Sequence, residues 1–208
     1  ESWTSNKTVD LWQFNLRKGV EFHNGKTLDA ADVVYSIERH LAKGSKSPAK
    51  SLLSSIKRLE AKGSSVVEFE LTGGNADFLY ILSDYHLGVV PEGFTKWDAP
   101  IGTGPFVMKD YDPGVRSLAE RNPNYFRDNR PYVDAAEIIC INDWTARLNA
   151  LQSGEVHIIN RVDSRFADRL KQNKDVEVVS SPGRTHYCYV MDTRVAPFSD
   201  QNVRLALK

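Results

Sequence analysis

The apolar spacing changes period within residues 9–41, and that change restricts the fold more than any other feature. In "VDLWQFNLR" (9–17) it is two residues: Trp12, Phe14 and Leu16 fall on one side, Gln13, Asn15 and Arg17 on the other. That alternation predicts a half-buried strand. Asn24-Gly25 then marks a turn. Asp29 follows as a helix cap, with Asp32 in the first turn near the positive end of the dipole. Val33, Val34, Ile37 and Leu41 make a helical stripe.

The rest of the chain interleaves the same two patterns. Residues 52–63 read as a weak helix or a helix passing into a strand, and 66–71 as a clean strand. A short helix is predicted near 76–83, and a hairpin around Asp112-Pro113-Gly114. A strand over "AEIICIN" precedes a helix over "DWTARLNALQSGE", in which Trp144, Leu148 and Leu151 share a face and Gly154 supplies the stop. Strands are expected at 156–160, 176–180 and 185–191, with helices over "SRFADRLKQN" and from "SDQNVRLALK". The class is mixed α/β. Trp12, Trp144 and Phe198 are read as core.

Charge excludes some functions. Lys+Arg and Asp+Glu are 27 each, and the basic residues are dispersed. There is no electrostatic case for nucleic acid or an anionic membrane. No apolar run is long enough to span a bilayer. Both ends read as cut, so the missing signal peptide says little about location. Cys140 and Cys188 sit in apolar, strand-like segments and are expected to be buried thiols.

Catalytic motifs fail on inspection. "GTGPFV" (102–107) has Val107 where a dinucleotide fingerprint needs glycine, and Pro105 lies inside the turn. The five histidines are scattered without ligand spacing. No enzyme, cofactor or metal is expected. Three groups stand out as candidate ligand contacts. Tyr85-His86 follows a short helix in an irregular aromatic segment. Tyr187 and Tyr189 lie on one side of a strand, as core or as cleft wall. Arg121 ends a strand, either in a surface ion pair or lining a cleft.

Five stretches, in order, resemble the bacterial extracellular solute-binding proteins of family 5, the dipeptide-, oligopeptide- and nickel-binding components of ABC importers. They are "ESW…LWQFNLRKGVEFHNGKTLDAADVVYSIERH", "IGTGPFVMKDYDPG", "LAERNPNYF", "RLNALQSGEVHII" and "YCYVMDTRVAPFSDQNVRLALK". Two positions depart from the family pattern: His157 stands where Asp is usual, and Asp192 where Asn is usual. The last stretch is most similar to the oligopeptide branch.

The resemblance implies most of the first lobe of a two-lobe periplasmic binding protein (type II, cluster C-like), closing about a hinge on its ligand. Residues 1–24 and 96–208 would form the main lobe, and 25–95 the family's inserted subdomain. The second lobe would be absent, so this chain alone should bind weakly. The ligand side would draw on Tyr85, His86, Leu87, Gly88, Arg121, Tyr187 and Tyr189, with Gly102, Thr103 and Gly104 shaping the backbone near the subdomain junction. The implied cargo is a peptide or related small solute, and the implied partner a membrane permease. The implied state is a monomer, periplasmic or lipid-anchored outside a Gram-positive cell. A nickel- or metal-chelate-binding protein, or a solute sensor presenting ligand to a membrane receptor, are the alternatives.

Overall fold

A computed structural model describes residues 1–181, 188 and 190–208. They fall into two compact units, Glu1–Asn142 and Asp143–Lys208. The first unit holds two antiparallel sheets. β1 (Ser2–Ser5), β2 (Leu11–Asn15), β3 (Ile56–Ala61) and β4 (Val66–Leu71) make a four-stranded sheet in the order β1-β2-β4-β3. The expected boundary at residue 24 runs between β2 and its partner β4, where Phe14 stands opposite Val67.

Alternation builds this sheet as the sequence suggests. Val67, Phe69 and Leu71 of β4 are buried, while Glu68 and Glu70 face outward. Arg58 of β3 reaches both glutamates, Glu70 at 2.9 Å and Glu68 at 3.4 Å. The helical part of the 52–63 expectation gives way to turns before β3 begins at Ile56. Pairing with β4 decides this, since a short segment without a strong apolar stripe follows its ladder partner.

α1 (Ala30–Leu41) packs on β3 and β4. Its start is a capping box: Asp29 Oδ1 accepts from Ala31 N at 2.9 Å and Asp32 N at 3.1 Å, and Asp32 Oδ2 accepts from Asp29 N at 2.9 Å. Asp29→Ala is expected to cost about 1 kcal/mol. Urea unfolding with an unchanged m-value would check it. α2 (Phe78–Leu82) sends Phe78 into the centre of the core. Phe78 lies 6.0 Å from Trp12 and 5.3 Å from Phe69, centroid to centroid. Leu53, Ala49 and Ile37 close the cluster.

β5 (Phe106–Asp112), β6 (Arg116–Arg121) and β7 (Ala135–Ile139) form the second sheet, in that order. The β5–β6 turn places Gly114 at φ +78°, the left-handed region that glycine enters without strain. β7 has little cover on either face, and Ile138 is 65% exposed. Cys140 follows it and is exposed, as is Cys188. The expectation of two buried thiols is therefore wrong. An alternating apolar segment fixes a face but does not supply the layer that covers it.

The second unit holds α3 (Trp144–Gln152), α4 (Ser164–Leu170) and α5 (Gln201–Ala206), each opened by an aspartate cap: Asp143, Asp163 and Asp200. Trp144 meets Phe166 at 5.6 Å beside the buried Leu170. The strands expected at 156–160 and 176–180 do not form, and Ile158 and Val179 are largely exposed. A strand needs a neighbour for its N–H and C=O groups, and no described residue pairs with these segments. The expected strand at 185–191 rests mainly on residues outside the described ones.

Candidate functional site

The loop after α2 carries four of the seven expected contact residues. Asp84 organises it. Its Oδ1 accepts from His86 N at 2.9 Å and meets His86 Nδ1 at 2.7 Å. These bonds, the backbone one first, hold the Asp84 carboxyl below its ordinary range. Tyr85 projects outward, 87% exposed, with its ring centroid 3.9 Å from that of His86. Leu87 turns inward and joins the core cluster. Gly88 is exposed. The loop therefore has an anchored base and an open aromatic tip.

What anchors the segment beyond it is the polar side of α1. Glu92 N donates to Asp32 Oδ1 at 2.7 Å. Ser36 Oγ accepts from Val90 N at 2.9 Å. Tyr35 Oη donates to the Phe94 carbonyl at 2.9 Å. Asp32 is wholly buried and also receives Lys26 Nζ at 2.6 Å. Read from sequence, Asp32 was a dipole residue in the first turn. In the structure it joins the Asn24-Gly25 turn region, the helix start and the 90–94 segment. The Asp29-x-x-Asp32 spacing with Lys26 upstream was the available signal.

His40 lies at the other end of α1, 5% exposed. Its Nε2 faces Arg39 Nη2 at 3.2 Å and its Nδ1 faces Ser47 Oγ at 2.6 Å. A guanidinium only donates, so Nε2 accepts and Nδ1 carries the proton. Burial holds the His40 pKa down, and the charges of Arg39 and His86 add to this against the opposing pull of Asp84. The unfolded chain thus takes up this proton first as pH falls. The stability from neutral His40 is present above its ordinary value of 6.5 and is lost as pH falls from there through the lower folded value. Urea unfolding at neutral and mildly acidic pH should show a smaller acid loss in His40→Gln than in the parent.

Arg121 stands on the other sheet, at the end of β6, and its charge is already engaged. Its Nη2 lies 2.8 Å from Asp134 Oδ1, and its N–H donates to the Asp134 carbonyl at 2.7 Å. Nearby, Asn122 is buried and donates from Nδ2 to the Gly104 carbonyl at 3.0 Å. His23 Nε2 reaches the same carbonyl at 3.1 Å, and His23 N donates to the Gly102 carbonyl at 2.9 Å. The "GTG" turn is therefore held from both sides. Its residues are backbone partners of His23 and Asn122, two residues the sequence did not single out. Tyr187 and Tyr189 lie outside the described residues. Among the described residues, no group of three metal-ligating side chains converges. Among the described residues, no helix is long and apolar enough to cross a membrane.

The family model for the bacterial extracellular solute-binding proteins, family 5 (Middle), matches residues 1–208. The chain belongs to family 5. The oligopeptide-binding protein AppA of Bacillus subtilis is 30% identical over 94% of this chain and 38% of its own length. The structure of that protein in complex with a nonapeptide aligns over 75% of this chain and 33% of its own, with a TM-score of 0.66 and 30% identity. The PBP/SBP MoaA of A. tumefaciens R10, in complex with mannopinic acid, aligns over 100% of this chain and 43% of its own, with a TM-score of 0.79 and 28% identity. The chain thus spans less than half the length of these family 5 proteins. Its mixed α/β architecture is that of family 5 periplasmic binding proteins, as the five ordered stretches imply.

Proposed function

We propose that this chain is part of the substrate-binding component of an ABC importer, which captures a peptide or related small solute between two lobes and delivers it to a membrane permease. One observation carries the reading: the family 5 match over residues 1–208. The relatives' ligands, an oligopeptide and mannopinic acid, set the first solutes to try. On this reading the chain has no catalytic role and works outside the cytoplasm, as the family description implies.

Residues 25–95 are proposed as the body of the inserted subdomain, with β1 and β2 of segment 1–24 completing its sheet. The ligand wall is proposed to include Tyr85, His86, Gly88, Arg121, Tyr187 and Tyr189, with Leu87 fastening the loop to the core. The exposed Tyr85 ring supports this, since an aromatic face with a polar tip suits varied side chains. Arg121 can serve a ligand carboxylate only by sharing or leaving Asp134.

Tyr85→Ala in the full-length gene product separates function from fold. Its side chain is 87% exposed, so stability should change by less than about 0.5 kcal/mol. Calorimetric titration with short peptides should show affinity falling about tenfold, or about 1.4 kcal/mol. Unchanged affinity would remove Tyr85 from the site.

A further inference from the structure

The segment between β6 and β7 does more than connect two strands. With the start of β5 it walls a hollow of about 510 Å³, within the range of about 300–1,000 Å³ common to small-ligand sites. Phe106, Tyr125, Tyr132 and Val133 supply the apolar wall, and Arg127 and Arg130 supply two cations. Tyr132 is 74% exposed, so much of its ring is open to an incoming molecule.

The two arginines differ from their neighbours. Arg121 is paired with Asp134, and Arg116 with Asp110 and Glu137. Among the described residues, neither Arg127 nor Arg130 forms an ion pair; each rests on a ring instead. The Arg127 guanidinium carbon lies 5.6 Å from the Phe126 centroid, and that of Arg130 lies 3.9 Å from the Tyr132 centroid. A guanidinium held over a ring face in this way keeps N–H groups available for a carboxylate. Two like charges on one partly apolar wall repel each other, and a bound anion relieves that repulsion.

We propose that this hollow binds a small organic anion, a carboxylate carried on a planar apolar body. Arg127 and Arg130 take the carboxylate, and Tyr125 and Tyr132 take the flat body. The site is distinct from the Asp84–Gly88 loop and does not rest on the importer reading.

The test titrates the full-length gene product by calorimetry with 3-phenylpropionate and with its neutral amide. The acid should bind about tenfold more tightly than the amide, and added salt should weaken it. The Arg127→Gln/Arg130→Gln double variant should lose this preference while its urea midpoint stays at the parental value. Tyr132→Ala should weaken 3-phenylpropionate more than acetate, because only the former has a ring to stack. Equal affinity for acid and amide, no binding of either at about 10 mM, or undiminished acid binding by the double variant would each overturn the proposal.

Discussion

Phe78→Ala is expected to destabilise the amino-terminal unit by about 3–5 kcal/mol. Phe78 is the largest side chain with no exposure, at the meeting point of α2 and the four-stranded sheet. Its ring touches the cluster from two sides, tilted against Trp12 and edge-on to Phe69. Truncation removes both ring contacts and leaves a void that a β-sheet floor cannot collapse to fill. Native domains hold only about 5–15 kcal/mol in total, so the variant should lose about a fifth of its stability or more. Urea unfolding followed by tryptophan emission reads this directly, since Trp12 is 6.0 Å away. Phe78→Leu keeps most of the volume and should cost clearly less. A loss below about 1 kcal/mol in Phe78→Ala would place the core elsewhere.

Asp32→Ala should have a comparable effect through a different cause. The carboxylate is fully buried and accepts from Lys26 Nζ, Asp29 N and Glu92 N. Lys26 keeps a side-chain exposure of 39% and can return to water. The two amides lose a charged acceptor, and each donor left unpaired costs about 1–3 kcal/mol. The expected loss is about 3–5 kcal/mol, the range for breaking a buried ion pair from one side. A local signature distinguishes this from general loosening. Amide exchange at Asp29 and Glu92 should accelerate more than in β4, because those amides lose the Asp32 carboxylate as their acceptor. Asp32→Asn retains one acceptor oxygen and should fall between parent and alanine. Uniform acceleration across the unit would contradict a local role for Asp32.

These residues show what was legible in the sequence. Alternation named the faces of β2 and β4, because a two-residue period needs no knowledge of the partner. The Asp29 cap was legible because its hydrogen bonds are local. Asp32 was read only by its position in the helix, since its link to Glu92 N spans 60 residues. The same limit explains Asn122 and His23, whose partners lie in the "GTG" turn. It also explains the failed strands at 156–160 and 176–180 and the two exposed cysteines, where a local pattern presumed a neighbour. Of the proposed ligand contacts, Tyr85–Gly88 were singled out by the aromatic, irregular character of their segment. The engagement of Arg121 by Asp134 depended on a hairpin register that composition does not reveal.

The importer reading is tested most directly by thermal unfolding of the full-length gene product against a panel of short peptides, mannopinic acid and nickel chelates. A solute that bridges two lobes binds only the folded state and raises the midpoint with the logarithm of its concentration above Kd. A concentration-dependent rise with at least one peptide or related solute is the predicted result. An unmoved midpoint with every solute in the panel, at concentrations up to about 1 mM, would contradict it.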